Sequence, residues 1–199
     1  MSRTILITGF RPFNTDSINP SWEAVSHLPD QIGDLQVQKL LLPVEYEAAA
    51  QLVCDKAQQC GQNCTPADFV LCVGQAGGRS AVTPEMLGIN LRYAEIPDEA
   101  GRICKDETIE EGGPDAIFST LPVRKMAAAI SAAGIPAKVS LSAGSFVCND
   151  VLYSVLRFFE GTKTRCGFIH VPNLPEQQNE PNMALSDIVK ALTLAVKTL

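Results

Sequence analysis

The sequence has few basic side chains, few histidines and no long apolar run. Its 199 residues include 16 Lys and Arg against 22 Asp and Glu, a net charge of −6. That balance argues against a nucleic-acid surface, which needs clustered cations. No apolar run approaches the roughly 20 residues of a membrane span. The N-terminal MSRTILITGF lacks a small-residue cleavage site, so we expect a first strand, not a signal peptide, and a cytoplasmic protein.

Cysteine is more frequent, with seven copies, but neither a disulfide framework nor a metal site is predicted. The odd number is typical of reduced thiols in a cytosolic chain. Cys54, Cys60 and Cys64 cluster near a predicted helix end without a nearby histidine or CxxC pair, so packing or surface positions are favoured over metal binding. We expect no cofactor. The sequence leaves open whether these three cysteines crosslink subunits.

Strand-like and helix-like patterns alternate along the chain and indicate the fold class. Predicted strands cover residues 4–9, 36–42, 68–74, 137–141 and 165–171, with a weaker one at 89–96. Predicted helices cover residues 20–27, 45–59, 122–133, 148–159 and 183–198. This order favours one α/β domain over residues 1–199, with a largely parallel sheet covered on both faces. Two long loops, 75–88 and 97–114, are candidate site loops.

The segment SAGSFVCNDVLY, residues 142–153, has one cysteine where a predicted strand is followed by a helix. A helix N-terminus favours a thiolate through its unpaired N–H groups and its dipole. The same N–H groups can hold the oxyanion of a tetrahedral intermediate. Cys148 is therefore a candidate nucleophile. The alternative is a buried cysteine that packs as a small apolar side chain.

Only two histidines are present, and His170 is the candidate base. It lies near the end of the predicted strand RCGFIHVP, where a lone histidine is more often a core residue. Cys148, however, follows the end of the neighbouring predicted strand. Because the same ends of adjacent parallel strands meet in space, a Cys–His pair is favoured. His27, in a predicted helix, is expected to have no chemical role.

A third group should orient the imidazole, and Glu85 is the best candidate. It lies past the end of the predicted strand 68–74. The alternative is an exposed loop carboxylate. Asp150 is too close in sequence to Cys148 and is expected to support the helix start. The residues alone thus indicate a cysteine hydrolase or acyl-transfer enzyme and leave its substrate open.

Five segments of the chain resemble the pyroglutamyl peptidase I family of cysteine peptidases, also called pyrrolidone-carboxylate peptidases. They are ITGFRPFNTDSINPSWE, VGQAGGRSAVTPEMLGIN, GPDAIFSTLPVRKM, AGIPAKVSLSAGSFVCNDVLY and FIHVPNLPEQ. The resemblance implies a triad of Cys148, His170 and Glu85, with no metal, that removes the N-terminal pyroglutamyl residue from peptides. It also implies a three-layer α/β/α sandwich and a homo-oligomer, either a dimer or a tetramer.

The same resemblance implies that Phe10, Phe13 and Phe146 form a pocket for the pyrrolidone ring. A flat, neutral lactam is best held between apolar faces with a few fixed hydrogen bonds. Gln75 could supply one such bond, and the backbone at residues 89–91 could supply others. The alternative for each phenylalanine is ordinary core packing. A pocket without a facing carboxylate would exclude open-chain termini, because burying their charged amine without a partner is costly.

Four positions relate to departures from the family pattern. Met86 and Gly88 stand where the family usually has a basic residue and alanine after the glutamate. Glu95 stands where many bacterial members have arginine before the Ile-Pro pair, and Arg92 lies three residues earlier. We expect either that Arg92 compensates for the added negative charge or that Glu95 points away from the site.

Two other classes of function stay open at this point. A non-catalytic ligand-binding relative could share the scaffold, since fold does not determine function. In a catalyst, a reactive Cys148 should be alkylated faster than Cys54 or Cys72. The glycine-rich GQAGGR loop could instead indicate a phosphate or nucleoside enzyme. That loop lacks both GxxxxGK[ST] and GxGxxG spacing, which makes the signal weak.

Overall fold

Strands and helices alternate along the chain in the computed structural model, which describes residues 3–61 and 65–199. The strands in this part of the chain are β1 Arg3–Phe10, β2 Gln31–Ile32, β3 Leu35–Leu42, β4 Phe69–Gln75, β5 Thr83–Pro84, β6 Leu87–Ile89, β7 Ala116–Phe118 and β8 Arg165–Val171. The α-helices are α1 Pro20–Ser26, α2 Ala48–Gln59, α3 Val123–Ala132, α4 Val147–Phe158 and α5 Leu185–Val196.

The main sheet has six strands in the order β2-β3-β1-β4-β8-β5. β3, β1, β4 and β8 run parallel, whereas the two edge strands are antiparallel to their neighbours. β1 and β4 lie inside the sheet and read as nearly continuous apolar runs, because both of their faces are buried. β6 and β7 form a separate antiparallel pair.

Helices cover both faces of the sheet, so the fold has three layers. One apolar core joins the sheet to α1, α3 and α5, and the other joins it to α2 and α4. The predicted α/β/α sandwich with a mostly parallel sheet is confirmed. No helix among residues 3–61 and 65–199 is long and apolar enough to cross a bilayer.

Local signals account for several of the helix ends. At the start of α1, Asn19 Oδ1 accepts a hydrogen bond of 3.0 Å from the Ser21 N–H, and Pro20 occupies the first turn. At the end of α3, Gly134 adopts φ +81°, which a glycine tolerates without strain. α2 begins three residues later than predicted, after Glu47 at φ 63°.

Two strand predictions were wrong in detail. Residues 137–141 do not form a strand of the sheet and make only isolated bridges, Val82 with Ala137 and Glu85 with Ser140. The predicted strand 89–96 is reduced to the end of β6. Its backbone is held instead by the side chain of Asn149, which bonds Ile89 N, Ile89 O and Leu91 O at 2.8–3.0 Å.

Candidate active site

The Cys148 thiol lies over the sheet at a point that a glycine leaves open. Cys148 is the second residue of α4, and a Cβ added at Gly74 of β4 would lie 2.9 Å from its Sγ. Gly74 is the register partner of His170 on β8. The thiol therefore lies above the strand position next to the imidazole. The expected neighbouring strand at 137–141 does not exist, so it is the packing of α4 over β4 that brings Cys148 to this point.

His170 and Glu85 form a buried hydrogen-bonded pair. Glu85 Oε1 lies 2.8 Å from His170 Nδ1, and both side chains are almost fully enclosed. Glu85 directly follows β5, which pairs antiparallel with β8, and its own N–H donates to Phe168 O at 2.9 Å. The edge strand thus turns the carboxylate inward. The alternative of an exposed loop carboxylate does not describe this residue.

Arg79 contacts the same carboxylate, and the sequence had indicated it only as a weak phosphate-loop signal. Its Nη1 donates to Glu85 Oε1 and to Thr83 Oγ1, each at 2.6 Å. Its Nη2 donates to Ser142 O at 3.0 Å. A cation six residues before the glutamate in one loop was the signal available, but only the folded loop shows which acceptor it takes.

The electrostatics of the site favour a neutral thiol and a neutral imidazole in the resting state. Burial, reinforced by the charge of Glu85, raises the pKa of Cys148 to about 12, with Arg79 opposing. Burial lowers the pKa of His170 even though Glu85 favours its charged form. Burial alone would raise the pKa of Glu85, but His170 first, and then Ser140 and Arg79, hold that pKa below its usual range. The sequence had led us to expect a helix N-terminus that favours the Cys148 thiolate, but in the resting structure the pKa of Cys148 is raised.

A cavity of about 430 Å³ opens beside the thiol, and its wall includes Cys148 and all four predicted pocket residues. The ring centroids of Phe13 and Phe146 are 5.5 Å apart. Phe10 is 2% exposed and packs on Phe168, so it belongs to the core as well as to the wall. The other lining residues are Asn14, Asp16, Asn19, Val44, Gly77 and Ile96.

The Gln75 side chain is held in one orientation. Its Nε2 donates to Asn173 Oδ1 at 2.9 Å and to Asp16 Oδ2 at 3.3 Å. Gln177 Nε2 donates to the same Asp16 oxygen at 2.8 Å. Because the amide hydrogens of Gln75 are engaged, its Oε1 is left as an acceptor. The condition stated for the exclusion of open-chain termini, a pocket without a facing carboxylate, is not fully met, because Asp16 lines the cavity. Two side-chain amides already hold one oxygen of that carboxylate.

Glu95 lies outside the cavity wall. Its side chain is 70% exposed, bonds Lys105 Nζ at 2.6 Å and contacts the Tyr93 hydroxyl. Arg92 is buried, and its Nε donates to Asp150 Oδ1 at 2.6 Å. Of the two alternatives for this departure, the geometry agrees with a Glu95 that points away.

Asp150 lies in the first turn of α4, but its hydrogen bonds join that turn to other segments and do not cap the helix in the way that the sequence had led us to expect. Its Oδ2 accepts from Glu47 N at 2.8 Å, while Oδ1 takes the Arg92 guanidinium. Another departure from the family pattern, Gly88, lies in β6 and faces the same helix. A Cβ at Gly88 would come within 2.9 Å of Tyr153 N, so the glycine allows a close approach of β6 to α4. The backbone at residues 89–91 bonds Asn149 and does not line the cavity beside the thiol.

His27, Cys54 and Cys60 do not line the cavity beside Cys148. His27 is exposed at the end of α1, with Nδ1 2.7 Å from Glu23 O. Cys54 is buried and Cys60 is half-buried, both as free thiols, and Cys64 lies outside the described residues. Among residues 3–61 and 65–199, no three His, Cys, Asp or Glu side chains converge as a metal site requires.

Fold and site together define a cysteine hydrolase. The sequence profile described as "pyroglutamyl peptidase" matches residues 3–199. The pyrrolidone-carboxylate peptidase of Thermococcus onnurineus is 43% identical over 199 residues, which cover 98% of this chain and 97% of that protein. The corresponding protein of Lactobacillus johnsonii is 44% identical over 98% of this chain and 91% of its own length.

Solved structures agree with the sequence comparisons. The pyroglutamyl peptidase I structure from Bacillus amyloliquefaciens superposes with a TM-score of 0.92 at 38% identity, over 100% of this chain and 95% of that chain. The pyrrolidone carboxyl peptidase from Thermococcus litoralis gives 0.90 at 37% identity, over 98% of this chain and 92% of that chain. The chain belongs to the pyroglutamyl peptidase family, and it is a cysteine omega-peptidase.

Proposed function

We propose that this protein removes the N-terminal pyroglutamyl residue from peptides, with Cys148 as nucleophile, His170 as base and acid, and Glu85 as orienting carboxylate. The observation that carries the proposal is the 2.8 Å contact between Glu85 Oε1 and His170 Nδ1, next to a thiol that opens onto an aromatic cavity. The pyrrolidone-carboxylate peptidases to which the chain is similar support the substrate class.

Glu85 determines which nitrogen of the imidazole acts as base. When Nδ1 carries the proton and donates it to Glu85, Nε2 is left unprotonated and can accept the thiol proton. The same carboxylate stabilises the imidazolium that forms when the proton arrives. Glu85 therefore does not need to receive the proton itself.

Catalysis begins when the Cys148 proton moves to His170 and the sulfur attacks the pyroglutamyl carbonyl carbon. The new C–S bond gives a tetrahedral oxyanion, which the N–H groups of Val147 and Cys148 at the start of α4 can stabilise. The next two N–H groups of this turn, those of Asn149 and Asp150, already donate to Phe146 O. The protonated His170 then donates to the leaving amine, the C–N bond breaks, and a pyroglutamyl thioester remains.

Hydrolysis of the thioester restores the enzyme. A water molecule loses a proton to His170 and attacks the thioester carbonyl carbon. The C–S bond breaks, the imidazolium returns its proton to the sulfur, and pyroglutamate leaves. Because both half-reactions use one base, substitution of His170 should slow acylation and deacylation together.

The pyrrolidone ring would lie in the cavity against Phe13 and Phe146, with Phe10 behind them. These two rings, with centroids 5.5 Å apart and planes tilted by 43°, give the cavity apolar walls, which suit a neutral planar lactam. Gln75 Oε1 would accept the ring N–H, since its amide hydrogens are held by Asn173 and Asp16. The pocket would therefore select a terminus that presents an N–H donor from within a flat ring.

The proposal is tested by the release of a fluorescent amine from its pyroglutamyl amide under reducing conditions. We expect turnover by the wild type and by Cys60→Ala, a matched thiol control at the C-cap of α2. We expect loss of essentially all turnover in Cys148→Ala and His170→Ala. Thermal melts check that every variant is folded. Retained turnover in Cys148→Ala would contradict the nucleophile assignment, and a folded but inactive wild type would favour a ligand-binding relative.

Two further expectations belong to this proposal. The protein is expected to form a homo-oligomer, which light scattering coupled to size exclusion would measure; a monomer at micromolar concentration would contradict it. A cytoplasmic location also stays a prediction. The six cysteines that the structure describes are free, as is usual for thiols in a reducing compartment.

A further inference from the structure

The guanidinium of Arg79 donates hydrogen bonds to three different residues around the active site. Its Nη1 donates to the same Glu85 oxygen that faces His170, at 2.6 Å against 2.8 Å for the imidazole nitrogen. Its second contact, with Thr83 Oγ1 on β5, is also 2.6 Å. Its third contact is with Ser142 O, in the segment that leads to the nucleophile. One guanidinium thus connects the Glu85 carboxylate, the edge strand β5 and the segment that precedes α4.

We propose that Arg79 is a positioning residue that fixes Glu85 against His170 and keeps this pair able to act as a base at more acidic pH. The proposal rests on the triad proposed above. It adds a fourth residue, which touches neither the substrate cavity beside Cys148 nor the reacting atoms and acts only through Glu85.

The need for a cation follows from the burial of Glu85, whose side chain has no exposed surface. A carboxylate withdrawn from water is costly unless it is paired. A neutral imidazole alone supplies one hydrogen bond and no charge. Arg79, which is 29% exposed, brings a permanent positive charge from the surface to this oxygen. Without it, the pair would gain a proton more readily.

The sign of the effect does not depend on which atom holds that proton. The resting pair is a Glu85 carboxylate with a neutral His170, and uptake of one proton gives either an imidazolium or a carboxylic acid. Both forms are more positive than the resting pair, so a nearby cation disfavours both. The Cys148 thiol is the other titratable group that interacts with the Glu85–His170 pair. Cys72, which is buried, in turn interacts with Cys148. Loss of Arg79 should therefore raise the pH at which the pair is protonated and inactivated.

The test is the pH dependence of kcat/KM for the pyroglutamyl amide. For Arg79→Gln we expect the acidic limb to move up by about one pH unit, the lower range for loss of a charge within about 5 Å, with a lower kcat and little change in KM. For Arg79→Lys, which keeps the charge but not the planar fork, we expect a smaller shift of the limb together with a lower kcat. Arg124→Gln, at an exposed position on α3, is the matched control and should behave as wild type.

A second readout separates charge from folding defects. The chain has two histidines, so the His170 ring signal can be followed by NMR titration, with His27 as internal reference. We expect the midpoint for His170 to move up in Arg79→Gln. An unchanged acidic limb and an unchanged His170 titration in a folded Arg79→Gln would overturn the proposal, and so would a Lys variant shifted as far as the Gln variant.

Failure of the underlying triad gives a different result. Glu85→Gln should lose most of its activity if Glu85 orients His170. If Glu85→Gln is as active as wild type, the triad assignment is wrong. If Glu85→Gln is inactive while Arg79→Gln keeps the wild-type pH profile, only the role of Arg79 is contradicted.

Discussion

Gly74 and Cys148 lie so close that no larger residue fits between the strand and the thiol. A Cβ at Gly74 would lie 2.9 Å from Sγ and 2.8 Å from the Phe168 ring. Real Cβ atoms do not approach other heavy atoms so closely, so the thiol or the ring would have to move. The glycine therefore makes room for the nucleophile above the sheet, one strand away from its base.

The first prediction concerns Gly74→Ala. We expect kcat/KM to fall about a hundredfold, because a displacement of a reacting atom by about 1 Å has effects of that size. We also expect the free energy of unfolding to fall by about 1–3 kcal/mol, because the added methyl group overpacks the site. Gly134→Ala is the matched control: its φ of +81° should destabilise the fold by about 1 kcal/mol while kcat/KM stays at the wild-type value. Equal losses of activity in both variants would mean that stability, not the thiol position, is responsible.

The sequence carried enough information to predict the layers of the fold but not the loops that complete the site. Buried strands and amphipathic helices leave a periodic pattern, and the Asn19-Pro20 helix start was readable from side-chain chemistry. The contacts of Arg79 with Ser142 and of Asn149 with Ile89 were not, because they join residues 63 and 60 positions apart in the sequence. Such contacts depend on tertiary packing and leave no periodic signal.

The three predicted catalytic residues come together although part of the supporting argument was wrong. Residues 137–141 were expected to be a sheet strand ending beside Cys148, but they make only isolated bridges at the sheet edge. Their side chains are exposed or half-buried, so no continuous apolar face holds them in the sheet. Cys148 lies beside His170 because Gly74 leaves room for the thiol above the sheet. A pattern of apolar residues in the sequence does not reveal such a position.

The second prediction is that the resting Cys148 is a neutral thiol. Its pKa of about 12 follows from burial and from the nearby charge of Glu85, whereas a free cysteine titrates near 8.5. The ultraviolet thiolate absorbance at neutral pH should therefore be the same in wild type and Cys148→Ser. Alkylation of Cys148 by iodoacetamide should keep accelerating as pH rises through the neutral range. Glu85→Gln removes a negative charge and should lower this pKa.

A different result would reveal an ion pair. If Cys148 and His170 exchanged their proton in the resting enzyme, the wild type would show excess thiolate absorbance over Cys148→Ser, and the alkylation rate would reach a plateau near neutral pH. Cys54 and Cys72, whose pKa values burial raises to about 12, contribute equally to both proteins and cancel in the difference.

The third prediction assigns the lactam N–H to Gln75. Replacing Gln75 by Leu leaves that N–H without its acceptor, so kcat/KM for the pyroglutamyl amide should fall about 10- to 100-fold. A second substrate is the cyclopentanone analogue of this amide, in which a CH₂ replaces the ring N–H. Its kcat/KM should be low with the wild type and no lower with Gln75→Leu. Asn173→Ala, which releases one amide hydrogen of Gln75, should give a smaller loss.

The two-substrate comparison makes this prediction specific. Asn182→Ala, at a half-buried position whose side-chain bonds are to exposed loop atoms, is the control and should leave both substrates unaffected. If Gln75→Leu reduced turnover of both substrates by the same factor, the glutamine would be acting on the shape of the pocket and not on the ring N–H.

The fourth prediction compares the adjacent residues Glu95 and Ile96. Glu95 is bound to Lys105 at the surface. Glu95→Arg, which introduces the residue that the family resemblance led us to expect here, should therefore change kcat/KM less than about twofold, the scale of most surface substitutions. Ile96 lines the cavity and is 47% exposed. Ile96→Ser should raise KM about tenfold, since a ring that covers this side chain loses about 1–2 kcal/mol of apolar contact, while kcat is nearly unchanged.

Both variants lie on one short stretch of chain, so a general disturbance of the 93–105 loop would affect them alike. A large effect of Glu95→Arg with little effect of Ile96→Ser would mean that the loop turns when substrate binds and brings position 95 to the site. The charge at that position would then act on the thiolate and oxyanion, and the departure from the family pattern would have a kinetic role. The opposite result assigns the outer wall of the pocket to Ile96 and leaves Glu95 at the surface.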